Sequence, residues 1–336
     1  MRILFSSYAF RPGVGGIETV SAILAERFVR AGHEVQVITE TPGDDSRGNG
    51  YRVIRRPGFI QLIKMLRWAD LFFQNNISLR SLLPALLLRK HAIVVHQTWI
   101  RNSKGSLGWN GRLKRMLLGR VTNVAISQAV AHDIGRKCVI IPNPYRDDLF
   151  RIIPGTVRIR TLVFLGRLVS DKGVDLLLRA LEQLRPEGLQ PDLTIIGAGP
   201  EAHNLLSLSR ELQLENQVVF AGEKSGAELV QLLNEHRIMV IPSRWAEPFG
   251  VVALEGIACG CAAIGSEGGG LKEAIGPCGI TFQNGDEHSL SDALKYLLRD
   301  PAFEDSLRSK ALGHLERFKA REVAGAYLRL IKQSAR

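Results

Sequence analysis

Cysteine is scarce in this chain, with Cys138, Cys259, Cys261 and Cys278 the only four among 336 residues. Thiols this few and this scattered do not make the dense disulfide framework of a small secreted domain. Cys259-x-Cys261 has neither the spacing nor the neighbouring histidine pair of a zinc site, so all four are expected to be buried thiols. Long apolar runs are missing as well. None reaches the roughly 18 residues that a membrane span needs. Met1-Arg2-Ile3-Leu4-Phe5 runs into polar Ser6-Ser7 too early for a secretory leader, and the expectation is a cytoplasmic protein. Acidic residues are short in the first half only. Residues 1–150 hold 22 Lys and Arg against 10 Asp and Glu, while the remainder holds 22 against 23, so the net charge of +11 lies entirely in the first half. Such a one-sided basic surface attracts anionic lipid, nucleic acid or an acidic substrate. The basic stretches lack the aromatic platforms on which bases stack, which argues against nucleic acid.

What is present is ordinary for a globular chain, with 45% apolar and 23% charged residues. The length exceeds one ordinary core and implies two domains. Arg2–Ser6 has the pattern of a strand, Gly13–Gly16 of a turn, Glu18–Ala31 of a helix stopped by Gly32, and Glu34–Ile38 of the next strand. Strand, glycine-rich turn, helix and strand form a βαβ unit, and such units build parallel sheets. Further strands are expected at Ala92–His96, Asn123–Ile126 and Cys138–Ile141. After a linker near Pro144–Arg158 the pattern restarts. Strands are expected at Thr161–Gly166, Asp192–Gly197, Val218–Ala221, Ile238–Pro242, Ala262–Ser266 and Gly279–Phe282. Helices are expected at Val174–Leu184, Glu201–Leu212, Phe249–Ala258, Ser289–Leu298 and, as one stretch, Phe303–Lys332. Ligands of such sheets bind at the carboxyl ends of the strands, so the cleft between the two units is the expected site.

Two glutamates carry most of the functional signal. Pro248 disfavours helix at Glu247, so a helix is expected to start near Phe249 or Gly250 and to contain Glu255 two turns on. Its fresh N-terminus offers free N–H groups to an anion. A phosphate flanked by hydroxyl-bearing groups suits that layout, as in a nucleotide-sugar. Gly166-Arg167-Leu168-Val169-Ser170-Asp171-Lys172-Gly173 follows a strand and precedes a helix, placing a guanidinium fork and an ammonium point charge where phosphate would lie. The alternative is a solvated basic loop.

Other motifs are weaker singly. Gly197-Ala198-Gly199-Pro200 is half a dinucleotide fingerprint without its third glycine, and its glycines suit close approach to a flat ligand such as a base. Gly13-Val14-Gly15-Gly16-Ile17-Glu18 could bring backbone to a phosphate, or be an ordinary βα turn. Gly268-Gly269-Gly270 is either a backbone nest for ligand oxygens or a flexible loop. His96 ends an apolar strand, where an imidazole could orient a hydroxyl or be structural. Two basic amphipathic stretches, Gln61–Trp68 and the one holding Lys104, Leu107, Trp109, Arg112, Lys114, Arg115 and Arg120, could lie on an anionic membrane or be solvated helix faces.

Together these residues resemble glycosyltransferase family 4, the retaining group 1 glycosyl transferases of GT-B fold. The resemblance rests on Gly166-Arg167-Leu168-x-x-x-Lys172-Gly173, Gly197-x-Gly199-Pro200, Glu247-Pro248-Phe249-Gly250 with Glu255-Gly256, Gly268-Gly269 followed by Glu273, and Gly15-Gly16-Ile17-Glu18. It implies an α/β fold of two Rossmann-like parallel domains facing each other across a cleft. Residues 1–152 would bind the acceptor, 153–318 the nucleotide-sugar, and 319–336 would form a helix crossing back to the first domain. It implies roles for each matched position: Arg167, Lys172 and Gly166 at the donor diphosphate, Glu255 at the ribose hydroxyls, and Glu247 at the donor sugar. Backbone groups of Phe249, Gly250, Val251 and Val252 would hold sugar and phosphate. Gly16 would approach the diphosphate from the first domain, and His96 would sit beside the transferred sugar. Gly197 and Lys224 would lie near the nucleotide. The chain has no Asp-x-Asp motif, which fits a reaction without a metal or other cofactor, the donor being a UDP-, GDP- or other nucleoside-diphosphate sugar. The basic first half favours a glycan or lipid-linked acceptor at the inner face of the cytoplasmic membrane, as in polysaccharide or glycolipid assembly. A nucleotide-sugar epimerase or hydrolase on the same fold and a non-catalytic sugar-nucleotide-binding subunit are the alternatives.

Overall fold

A computed structural model of the chain describes residues 1–13, 15–101 and 108–334. It divides into two compact units, Met1–Pro144 with Phe318–Arg336, and Tyr145–Arg317. Val14, Lys104 and Leu107, which belong to two of the motifs above, lie outside the described residues.

The first unit is built on an eight-stranded sheet. Its strands are β1 (Arg2–Ser7), β2 (Glu34–Thr39), β3 (Ser46–Gly48), β4 (Tyr51–Arg55), β5 (Leu71–Asn75), β6 (His91–His96), β7 (Thr122–Ala125) and β8 (Val139–Ile140). They lie in the order β3-β4-β2-β1-β5-β6-β7-β8. All pairs are parallel except the edge pair β3–β4. Strands buried on both faces read as continuous apolar runs, as Ile3-Leu4-Phe5 and Ile93-Val94-Val95 do, each of these residues being fully buried. The β3, β4 and β5 strands have no counterpart in the sequence-based expectation. Leu-Phe-Phe-Gln-Asn in β5 is short and ends in two amides, yet all five residues are buried in the middle of the sheet.

The second unit holds six strands: β9 (Arg160–Leu165), β10 (Leu193–Ile196), β11 (Val218–Gly222), β12 (His236–Ile241), β13 (Ala262–Ser266) and β14 (Gly279–Phe282). Their order is β11-β10-β9-β12-β13-β14, all parallel. The chain winds outward in opposite directions from β9 and β12, so those two strands flank the topological switch point. This is the expected fold class, two parallel α/β units.

The stretch expected as one helix over Phe303–Lys332 is instead three: Pro301–Ser309, Ala311–Leu315 and Ala320–Ser334. Asp300 caps the first by accepting from the Phe303 N–H at 2.9 Å, with Pro301 at the opening position. His314 donates from Nε2 to the Ala274 carbonyl at 2.7 Å and holds the second within its own unit. The chain leaves that unit after Arg317. The final helix packs beside Gly16–Arg30 and seats Tyr327 against Phe73, whose ring also meets Phe5 and Phe28 at 5.0 and 5.3 Å.

Among the described residues no helix is long and apolar enough to cross a membrane. The helix Phe59–Trp68 spends Leu62, Met65 and Leu66 on the core and leaves Phe59 and Ile60 exposed. Trp109–Leu117 leaves Trp109 and Met116 exposed beside Arg112, Lys114 and Arg115. Cys259, Cys261 and Cys278 are buried and free, as expected, whereas Cys138 is half-buried near the edge strand β8.

Candidate functional site

The best-formed candidate site lies at the carboxyl ends of β9 and β12. The loop after β9 carries Arg167 and Lys172, and the loop after β12 carries Ser243 and Glu247. Lys172 Nζ donates to Glu247 Oε1 at 2.5 Å, and Ser243 Oγ donates to the same oxygen at 2.7 Å. Both charged side chains are partly buried. Glu247 Oε2 has no hydrogen bond among the described residues and remains open to a ligand hydroxyl. Arg167 is exposed and, among the described residues, its guanidinium has no carboxylate partner. An unneutralised fork thus stands close in sequence to an ammonium held in place by a carboxylate.

Glycines lock these loops together. Gly173 has φ 66°, and a Cβ there would lie 2.0 Å from the Pro242 carbonyl oxygen. The Asp171 carbonyl accepts from the Arg244 N–H at 2.9 Å. So the turn bearing Lys172 is pinned to the start of the loop bearing Glu247. Gly269 has φ 74° and presses on the Glu247 carbonyl, which accepts from the Gly270 N–H at 2.7 Å. The Gly268–Gly270 segment therefore turns Gly270's N–H to the backbone of Glu247, while the Gly268 N–H goes to Asn284 Oδ1 at 2.6 Å.

Gly197 and Gly199 also serve the packing of the site itself. Their close approach is to the neighbouring loop: a Cβ on Gly197 would sit 1.9 Å from the Gly166 oxygen, and one on Gly199 2.3 Å from the Leu168 oxygen. The Gly166 and Leu168 N–H groups bond to Ile196 and Ala198 at 3.0 and 2.9 Å. The glycines hold the Arg167 loop down, and the sequence carries no sign distinguishing that from contact with a base.

The helix begins at Val251, one or two residues later than expected, because Gly250 takes φ 99° as its cap. No side chain occupies the cap, so the Val251 and Val252 N–H groups are open to an anion, while the Ala253 N–H donates to the Gly250 carbonyl at 3.0 Å. A Cβ on Gly250 would meet Leu271 Cδ1 at 2.5 Å. The Phe249 ring is core, so only its backbone could serve a ligand. Glu255 sits one turn into the helix, still partly accessible but surrounded mostly by protein. That burial raises its carboxyl to about 8, with the Arg146 charge pulling the other way. Near neutral pH it is largely protonated and can both donate and accept. Lys224 is occupied by Glu228, four residues on, at 2.5 Å.

In the first unit, Gly16 opens the helix Gly16–Arg30 and is exposed, with open space where a Cβ would be. His96 ends β6 fully buried. Asn123 Nδ2 donates to Leu118 and Val121 carbonyls, leaving Oδ1 to accept from His96 Nε2 at 3.1 Å. The proton is therefore on Nε2, and Nδ1 is a buried acceptor without a partner among the described residues. Burial lowers the imidazole to about 4, so it is neutral at pH 7.

Sequence reasoning missed a buried polar chain in this unit. Ser7 Oγ meets Ser21 Oγ at 2.8 Å, Asn75 Nδ2 donates to Ser21 Oγ at 2.7 Å, and Gln97 Nε2 donates to Asn75 Oδ1 at 2.9 Å. Asn143 and Gln97 exchange amide hydrogen bonds of 2.7 and 3.0 Å. The chain ties the carboxyl ends of β1, β5 and β6 to the start of the glycine-led helix. Its only sequence signal is a polar residue closing each apolar strand.

Among the described residues no three His, Cys, Asp or Glu side chains converge as metal ligands.

Comparison with known proteins gives a consistent result. Residues 152–313 match the family model "Glycosyl transferases group 1", and residues 14–149 match "Glycosyltransferase Family 4". A glycogen synthase of Mycobacterium tuberculosis is 36% identical over 143 residues, 42% of this chain and 34% of that protein. A D-inositol 3-phosphate glycosyltransferase of Stackebrandtia nassauensis is 33% identical over 190 residues, 52% of this chain and 42% of that protein. The chain thus spans between a third and a half of the length of these curated relatives. Among solved structures, sucrose-phosphate synthase from Thermosynechococcus elongatus superposes with a TM-score of 0.82 at 20% identity, covering 99% of this chain and 98% of that one. Anabaena Alr3699/HepE, solved in complex with UDP, superposes with a TM-score of 0.83 at 20% identity over 99% of this chain and all of that one.

Proposed function

The chain belongs to the group 1 glycosyl transferases of glycosyltransferase family 4, with the GT-B fold, and on that premise we propose that it is a retaining, metal-independent hexosyltransferase. It moves a hexose-type sugar from a nucleoside-diphosphate sugar to a hydroxyl of a glycan or lipid-linked acceptor. The second unit takes the donor and the first the acceptor. The observation that carries the reading is the switch-point cluster, where the loop after β9 brings exposed Arg167 and, five residues on, the Lys172 that pairs with Glu247.

The chemistry follows from charge. Breaking the bond from the anomeric carbon to the diphosphate oxygen leaves negative charge on the nucleotide and positive charge on the sugar. Arg167, Lys172 and the open N–H groups at Val251 and Val252 supply fixed positive potential for the leaving group. Glu247 Oε2 accepts from a sugar hydroxyl while Oε1 keeps Lys172 in position. Glu255 takes the ribose hydroxyls. Gly166 brings backbone to the diphosphate, and Gly197 and Lys224 border the base. Gly16 and His96 act from the first unit, His96 as a neutral ring whose Nδ1 can accept from a sugar hydroxyl. In a same-face transfer the acceptor oxygen bonds to the anomeric carbon, and its proton passes to the departing diphosphate oxygen. A uridine donor is supported by Alr3699/HepE, which was solved with UDP and with UDP-glucose. The basic first unit favours acceptors held at an anionic membrane on its cytoplasmic side.

Lys172→Ala tests this. Transfer is expected to fall on the order of a hundredfold or more, the usual scale for removing one preorganised charge at a leaving group. The melting temperature is expected to change little. Unchanged transfer in a folded variant would remove Lys172 from the chemistry.

A further inference from the structure

The amino-terminal ends of β6 and β7 border two adjoining hollows. This is the edge of the first sheet opposite the strand ends that carry His96. One hollow is lined by Arg89, Lys90, His91 and Arg120, the other by Arg136 and Lys137, and Gly119, Val121 and Thr122 belong to both. No acidic residue lines either. We propose that this continuous groove is a binding site for a phosphate-bearing anion, separate from the sugar-transfer site.

The argument rests on charge that the protein leaves uncompensated. Residues 79–143 contain eleven Lys and Arg and a single acid, Asp133. That acid is spent: it pairs with Arg101 at 3.2 Å and accepts from the Ile100 N–H at 2.8 Å. Asp70, at the start of neighbouring β5, is held by Arg2 at 2.7 Å. Other cations of the unit do find carboxylates, as Arg11 does in Glu26 and Arg80 in Glu40. Among the described residues, Arg89, Lys90, Arg120, Arg136 and Lys137 have no carboxylate partner. Lys90 is nevertheless held, its ammonium donating to the Ala69 carbonyl at 2.6 Å, and Arg136 lies across Gly119, with Nη1 3.3 Å from where a Cβ would be. A side chain at position 119 would push that guanidinium out of the floor. Converging cations in a concave site concentrate field lines and favour a multiply charged ligand. Guanidinium forks match phosphate oxygens in pairs. No Phe, Tyr or Trp lines the hollows, so they offer no extended stacking platform for bases.

Phosphate of this kind can come from a lipid headgroup or from a soluble polyanion, and the test separates them. The full chain would be titrated with sodium tripolyphosphate by calorimetry. It would also be floated with phosphatidylglycerol vesicles, with phosphatidylcholine vesicles and a short DNA duplex as controls. Arg120→Glu/Arg136→Glu is the main variant, and the milder Arg89→Ser serves if that one does not give a native circular dichroism spectrum. Binding to tripolyphosphate, to anionic vesicles or to both is expected. It should fall about tenfold or more in the double variant and weaken steeply with salt. Binding to vesicles alone assigns the headgroup, and binding to tripolyphosphate alone assigns a soluble ligand. No binding to either, binding that survives charge reversal, or binding to the duplex alone would overturn the proposal. Sugar transfer to a soluble acceptor is expected to be the same in wild type and variants, so failure of the transfer reading would show separately.

Discussion

At the scale of the residue, Glu255 makes the sharpest statement. Its carboxyl is raised by burial to about 8 in the folded chain, from an ordinary value of 4.5. Between those two pH values the folded state holds a proton that the unfolded state has lost. Stability therefore falls as pH rises through that window and levels off above it. Glu255→Gln removes the slope. The variant is expected to match wild type near pH 4.5 and to exceed it at pH 9 by on the order of a few kcal/mol. Urea denaturation at both pH values checks this, and parallel stability profiles would show that the carboxyl is not strained. The same residue illustrates what a sequence conveys. Glu247, Glu255, Arg167 and Lys172 were legible because a proline, a helix period and a strand–helix loop fix their neighbourhoods. The Lys172–Glu247 pair was not, because the two are 75 residues apart and meet only when β9 and β12 become neighbours.

At the scale of the element, two staples decide how the units hold their shape. Arg158 reaches from the segment before β9 to three carbonyls. It donates to Asn234 at 2.9 Å and to His236 and Cys259 at 2.7 Å each. These close the helices Gly226–Glu235 and Val251–Ala258, so one guanidinium satisfies the orphan carbonyls at both helix ends. Arg158→Met is expected to cost about 2–4 kcal/mol, the price of partly buried acceptors left bare, measured by chemical denaturation. Tyr327 is the second staple. Its ring completes the Phe5, Phe28 and Phe73 cluster, but its hydroxyl is buried without a partner among the described residues. Tyr327→Phe is expected to be neutral or mildly stabilising, while Tyr327→Ala should cost about 3–5 kcal/mol. A large loss in the Phe variant would contradict the view that only the ring matters. A separate last helix at 319–336 was implied by the family resemblance, whereas periodicity alone ran it together with the two helices before it. Asp300 and Pro301 announce a helix start, but nothing local in Ala311–Lys319 announces that the chain must change units there.

At the scale of the whole chain, hydrophobic runs and glycine-rich turns were enough to read two parallel α/β units. β4 and β5 escaped because short strands with polar ends look like loops until both neighbours cover them. Glycine was read as a sign of close approach, and at 197 and 199 the structure adds a partner that the sequence did not name, the next loop. The charge asymmetry was visible from composition alone, but composition does not say that Arg2 and Arg11 find carboxylates while, among the described residues, the cations at the starts of β6 and β7 do not. The two halves also divide the proposed labour, with donor chemistry at the β9–β12 switch point and anionic partners drawn to the first unit.

The central claim is that the switch-point cluster and the helix bearing Glu255 bind a nucleoside-diphosphate sugar. Thermal stabilisation by UDP, GDP, ADP, dTDP and their sugars, without added metal, tests it most directly when repeated on Glu255→Ala. Selective stabilisation by one nucleotide, lost in that variant, is the predicted result and would name the base. Stabilisation by none of them in the wild-type chain would contradict it.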